Sequence, residues 1–393
     1  MAGKARTWSA AGAARFAREA RIATVGYLRA APVARRWHRS KLLNAYGLHL
    51  QHTGSPEEAL GLLLGGIGYR PPYPPGWDEI TEMVLADEAG ELAAASLYIL
   101  TPQMCDVTVA AALTLTPEDI ALLAEDDLPS PAGLVVLPQP LLVSAVTGDL
   151  GDDRAYRWRF PARIQLLSAG RHLRRTVPAV RMSLYHDAHG PVRPDTFLAY
   201  ESAARAAGTP LPPLILDAMR AVPLGYHATE EQEEDLKRFT GAARKSGEAT
   251  RELYASEGID ENRVTGEYTP GSQIDDADDL FMAKFLFAFW RLCEQRIAVT
   301  EAAEIPHSAR VLADKAGVPP DVRVIRLRRP AQPGADGPAG GRDWQHQWVV
   351  RMHKVRQWYP SEQRHKVLYR GPYIKGPEGK PMLGGETVHG LIR

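Results

Sequence analysis

The chain carries only two cysteines, Cys105 and Cys293, in 393 residues, and no Cys-x-x-Cys pair. This excludes a disulfide framework and a thiolate zinc site, and it fits a reducing, cytoplasmic setting. Long apolar runs are missing too. The best candidate, around Phe281–Trp290, is interrupted by Lys284 and followed by Arg291 and Glu294. It falls short of the roughly 18 residues of a bilayer span, so a buried helix is expected there and no membrane partner. Familiar catalytic signatures are also absent: no Gly-x-Ser-x-Gly, no His-Glu-x-x-His, no Walker loop and no strand-linked Gly-x-Gly-x-x-Gly. A nucleotidase, a kinase, a simple hydrolase and a Rossmann dehydrogenase are thereby disfavoured, and neither cofactor nor metal is expected.

What is present is an ordinary globular composition, 45% hydrophobic and 24% charged, long enough for two or three domains. The net charge of zero hides an uneven layout. Residues 1–40 carry nine Lys+Arg against one acid, residues 41–321 carry 24 against 41, and residues 322–393 carry 14 against five. Such asymmetry points either to polyanion contact or to docking of the basic ends onto the acidic middle. The first segment has no signal-peptide apolar core and reads as a basic amphipathic helix, with Phe16, Ile22 and Leu28 among its arginines.

Helix grammar continues over 33–48 and over "GSPEEALGLLLGG", where Ser55 caps, Pro56 opens and Gly65-Gly66 stops the helix. A longer helix is expected from Trp77 to about Tyr98. From Met104 the texture turns strand-like, in "CDVTVAAALTL", "GLVVLPQPLLV", "YRWRFPARIQL" and "VPAVRMSLYH", with a helix near 194–207. Thr229 with Gln232 forms a capping box for another helix, and a polar connection, "EGIDENRVTGEYTPGSQ", leads to the buried helix within 272–298. The end of the chain reads as β structure interrupted by a Pro/Gly-rich loop. The expected fold is therefore α+β: a helical region over 1–103, a mixed α/β domain over 104–225, a helical connector over 226–320, and a small basic antiparallel β-rich domain over 321–393.

The densest chemistry lies in "RDWQHQWVVRMHKVRQWYPSEQRHKVLYRGPYIKGPEGKP". In an extended strand Trp344, His346, Trp348, Val350 and Met352 would share one side, and the pattern slips near Lys354 as at a bulge or strand end. Arg351, Lys354, Arg356, Arg364, Lys366 and Lys375 are expected to meet phosphates, with Trp358 and Tyr373 as surfaces on which bases stack. The partner would then be DNA or RNA. If the same surface served a toxin-type enzyme, an RNase or a nucleotide-using transferase, His353 and His365 are its acid or base candidates. A solvated basic sheet, or a module whose basic termini dock on its own middle or on a protein partner, are the plainer alternatives.

Three other stretches compete for attention. "SARVLADKAGVPPDVRVI" echoes a helix-turn-helix, but its β-branched ending reads as a helix feeding a strand. "DDADD", Asp275–Asp279, has a magnesium-binding spacing, yet acids at that place complement the start of the buried helix. "YHDAHG" puts His186, Asp187 and His189 on a strand-ending turn, where they could ligate a metal or move protons. Neither cysteine has a histidine placed by sequence to activate it.

The run "WVVRMHKVRQWYPSEQRHKVLYRGPYIKGPEG" resembles a segment of uncharacterised proteins of actinobacteria and their phages and plasmids, with Met352 where that pattern has Gly. The resemblance covers about 50 to 70 residues and implies a mobile-element setting without an assigned activity.

Overall fold

The computed structural model describes residues 8–168, 171–265, 273–295, 297–328, 345–351, 353–359, 364–370, 373–377, 380 and 382–383. The Pro/Gly-rich loop over 330–343, Trp344, Met352 and the 266–272 part of the polar connection lie outside them.

Four helices come first: α1 (Ala10–Ala30), α2 (Pro32–Thr53), α3 (Pro56–Gly66) and α4 (Trp77–Ala94). Ser9 and Ser55 cap α1 and α3 with their side chains, and Gly54, in the left-handed region, ends α2. The chain then enters β1 (Ser96–Leu100), so the helix expected to reach Tyr98 stops at Ala94. Next come α5 (Pro102–Ala112), the short α6 (Pro117–Ile120), and the strands β2 (Ala132–Ser144), β3 (Leu150–Ser168) and β4 (Arg171–Asp187). Helix α7 (Asp195–Ala206), β5 (Leu214–Pro223) and the 27-residue α8 (Glu230–Ser256) follow. The short β6 (Ile274–Asp275) leads into the buried α9 (Phe281–Cys293), then β7 (Ala298–Ala302), α10 (His307–Ala316) and β8 (Val322–Leu327). The last segments are β9 (Gln347–Val350), β10 (His353–Tyr359), β11 (Arg364–Arg370), β12 (Tyr373–Lys375) and β13 (Met382–Leu383).

The alternating apolar stretch at Cys105 is helical, not a strand. Thr101 accepts a hydrogen bond from the Met104 N–H, Pro102 starts the first turn, and the Thr108 hydroxyl donates to the Met104 carbonyl. Alternation over so few residues does not separate a strand from a buried helix, and here packing on both sides decides for the helix. The helix at 307–316 does feed a strand, β8, and the Thr229 box caps α8.

Strands β1 to β5, β7 and β8 form one mixed sheet in the order β5-β4-β3-β2-β1-β8-β7, with β6 beside β2. Its parallel centre is β2-β1-β8, and the β2-β3-β4-β5 meander is antiparallel. The sheet thus runs across the expected boundaries near 103 and 320, since β1 precedes the one and β8 follows the other. Both faces are covered, as the near-continuous apolar runs of β1 and the first half of β2 require. Leu97, Ile99, Leu134 and Val136 face α1 and α4, while Tyr98, Leu100, Val135 and Leu137 face α5 and α9. The α+β class expected from the sequence is what the chain adopts.

Two devices lock the helical layer containing α1 and α4. On α1, Arg18 donates to the Pro320 and Glu304 carbonyls, and Arg21 donates to those of Ala95 and Pro319. Two of the basic residues of this helix are therefore buried as backbone clamps. On α4, Asp87, Glu88 and Glu91 meet three arginines of β3 and β4. Arg157 binds Glu88 at 2.7 and 2.5 Å and Glu91 at 2.7 Å, Arg181 binds Asp87 at 2.6 Å and Glu91 at 2.5 Å, and Arg159 binds Glu91 at 2.9 Å.

On the opposite face, Trp158 of β3 meets Phe289 and Trp290 of α9 at ring-centroid distances of 5.9 and 5.7 Å, edge to face, and its indole N–H donates to the Ser130 carbonyl at 2.9 Å. Removing this ring opens a cavity and strands an acceptor. Trp158→Ala is expected to lower the unfolding free energy by about 3–5 kcal/mol in a urea titration.

Candidate functional site

The basic C-terminal residues belong to two small sheets. β9 pairs with β12 antiparallel and with β13 parallel, which places Lys375 opposite Trp348 and Tyr373 opposite Val350, with exposed Arg351 just past the end of β9. Gly376, at φ +109°, lets the chain pass the His346 carbonyl, which a β-carbon would meet at 2.4 Å. Val349 packs against the core under α5 and α9.

β10 and β11 form a separate antiparallel hairpin. The expected slip near Lys354 is the break between β9 and β10. Its register sets Lys354 opposite Tyr369, Arg356 opposite Val367 and Trp358 opposite His365. Directly opposed residues share a face, and alternate residues share one along each strand. Positions 354, 356 and 358 therefore lie on one face with 365, and positions 364 and 366 lie on the other with 353. The two candidate histidines, His353 and His365, occupy opposite faces. Trp358 is 48% exposed, unusual for so large an apolar ring.

The other stretches resolve as follows. In "DDADD", the Asp276 carboxylate accepts the Leu280 and Phe281 N–H groups at 2.9 Å each, Asp278 pairs with Lys284 and Asp279 with Arg220. These acids serve the start of α9. Cys105 and Cys293 are packed against the main core, and burial pushes both thiols up to about 12, far from a reactive thiolate. Among the described residues, no group of three His, Cys, Asp or Glu side chains is placed to hold a metal ion. No helix among them is long and apolar enough to cross a membrane.

"YHDAHG" leads to the best-formed polar site. His189 is exposed, but His186, at the end of β4, lines a cavity of about 610 Å³ with α2, the β2–β3 turn and α8. Its Nε2 lies 3.5 Å from Asp153 and 3.6 Å from Asp217, and Asp217 also pairs with Lys41 of α2. Asp153 in turn accepts the Tyr156 hydroxyl at 2.6 Å. Burial alone would lower the imidazole pKa, but Asp217, Asp153 and Asp152 outweigh it and raise it to about 9. Burial would raise the Asp217 carboxyl; His186, Lys41 and Arg220 hold it well below the usual range. At Asp152 burial outweighs His186 and the Val192 N–H and pushes the carboxyl up to about 7.

Sequence reasoning named His186 and Asp187 and passed over Lys41, Asp152, Asp153 and Asp217, because these come from distant segments. A signal did exist. From Arg154 to His186 there are eight arginines and no acid, bounded by Asp152-Asp153 and Asp187, inside a segment whose average is acidic. Compared with protein-family models, curated proteins and solved structures, the chain matches none.

The imidazolium has a direct consequence for stability. A histidine raised from 6.5 to about 9 by folding contributes stability that is complete below pH 6.5 and lost as pH rises through 9. His186→Gln is expected to be less stable than wild type at pH 6 by at most about 3 kcal/mol, a difference that fades by pH 9.5 in parallel urea titrations.

Proposed function

We propose that the protein binds nucleic acid through basic β-hairpins. Arg351, Lys354, Arg356, Arg364, Lys366 and Lys375 meet phosphates, and Trp358 and Tyr373 offer faces to bases. The observation that carries the reading is the β10–β11 register, which groups Lys354 and Arg356 with the exposed Trp358 on one face. Cations flanking an exposed aromatic ring suit a single strand, whose phosphates and unstacked bases run side by side. The likeness of the C-terminal run to proteins of actinobacteria and their phages and plasmids suggests a mobile-element or phage-related setting.

A second hairpin supports the same reading. β3 and β4 continue to pair as far as Ser168 and Arg171, whereas β2 leaves β3 at Arg159 and β5 leaves β4 at Ala179. The remainder is a two-stranded arm extending roughly 20 Å beyond the sheet. Its sequence holds Arg163, Arg171, Arg174 and Arg175 without an acid. An enzyme using His353 and His365 together is less well supported, since one hairpin face does not carry both.

Binding of labelled single-stranded DNA and RNA across a salt series tests this. Lys354→Ala with Arg356→Ala should flatten the slope of log K against log[salt] by about 1.4, near 0.7 per lost phosphate contact. Trp358→Ala should weaken binding by about 1–3 kcal/mol with little change in slope. Absence of binding at low salt, or variants that bind like wild type, would reject the reading.

A further inference from the structure

The cavity beside His186 has an unequal set of charges. Four cationic side chains line it, and each already faces a carboxylate: Lys41 and His186 with Asp217, Arg220 with Asp279, and Arg251 with Asp149. Asp187 is paired with Arg154 at 3.3 Å, and Asp276 caps α9. Of the acids without a cation of their own, Glu261 accepts the Thr196 N–H and hydroxyl and Asp153 shares His186 with Asp217, which leaves Asp152 the least satisfied. It is 2% exposed, and among the described residues no cation lies within ion-pair distance of it. One oxygen, Oδ2, accepts the Val192 N–H at 3.2 Å, and among the described residues no other hydrogen bond to the carboxylate is seen. Gly190 keeps this seat open, since a β-carbon there would lie 1.9 Å from Oδ2. A buried carboxylate with one hydrogen bond is costly unless something else completes its shell.

Val143, Leu184, Phe197, Ile215, Phe281 and Met282 give the wall an apolar part, beside polar Ser40, Asn44, Thr250 and Tyr254. A cavity of this volume with partly apolar walls and a few convergent polar groups has the form of a small-molecule site. We propose that it binds a small organic amine, whose ammonium group donates to Asp152 Oδ1 and whose apolar body lies against Phe197, Phe281 and Met282. Anions are disfavoured by the acidic lining, and a neutral molecule of the same shape leaves Asp152 without its counter-charge. No bond is made or broken. The inference is independent of nucleic-acid binding, because it concerns the opposite end of β3 and β4 from the arm.

Three compounds with one ring system separate the charge from the shape: tryptamine, its alcohol twin tryptophol and the anion indole-3-acetate. With the full chain at pH 7.5, 5 mM tryptamine is expected to raise Tm by about 2 °C or more, and the two twins by less than about 0.5 °C. Asp152→Asn is expected to abolish the tryptamine shift. Titration calorimetry should show tryptamine heat with wild type and at least tenfold weaker binding to the variant. Equal shifts with tryptamine and tryptophol, no shift with tryptamine, or a tryptamine shift retained in Asp152→Asn would overturn the proposal. The comparison of the three compounds on wild type decides even if the variant does not fold.

Discussion

Glu88 lies fully buried between α4 and the sheet, with Arg157 bound across both its oxygens and the Tyr185 hydroxyl donating to it. Burial would raise its pKa, but Arg157 and Arg181 outweigh burial and hold the carboxyl below its ordinary value. Around this pair, Glu91, Arg181, Arg159 and Asp87 extend the network, and Ser183 accepts another Arg157 N–H at 2.8 Å. Such a network is weak evidence for net stability, because desolvating its charges costs about as much as their attraction returns. What it specifies is alignment. With Asp87 and Glu88 each about one helical turn before Glu91, only one seating of α4 satisfies all three arginines.

The network occupies the middle of the two longest strands, and this gives the β3–β4 hairpin three functional zones. Residues 157–159 and 181–185 hold α4. Toward one end, residues 150–153 and 186–187 build the cavity around His186 and Asp152. Toward the other, residues past 160 leave the sheet as the arginine-bearing arm. The eight arginines without an acid thus divide into groups with different tasks, compensated by α4 at the centre and left without sequence-adjacent acids on the arm. The Trp158 contact with α9 on the opposite face fixes the same segment from below.

Local signals in the sequence were legible where short-range chemistry decides. The caps at Ser55 and Thr229, the buried α9 and the α10-to-β8 transition all follow from residues within one or two turns. The stretch at Cys105 misled because its apolar alternation fits a strand while its partners, α9 and the central strands, lie far away in sequence. The single expected strand through Met352 divides into β9 and β10 because each finds its own partner, β12 or β11. For the cavity, only His186 and Asp187 sat in a recognisable run. Lys41 is separated from Asp217 by 176 residues, and no spacing rule reaches that far. Averaging charge over 41–321 also concealed the arginine block between Arg154 and His186.

The most direct test of this account is amide hydrogen exchange on Glu88→Gln. Losing the charge leaves Arg157 partly uncompensated in the interior, at a cost of about 3–5 kcal/mol. If the network aligns the hairpin, protection should fall along residues 155–159 and 181–185 and at the cavity end near 150–153 and 186–187, while α9 and β8 exchange more nearly as in wild type. Unchanged protection throughout β3 and β4 would show that the hairpin holds its place without the network, and the central claim would fall.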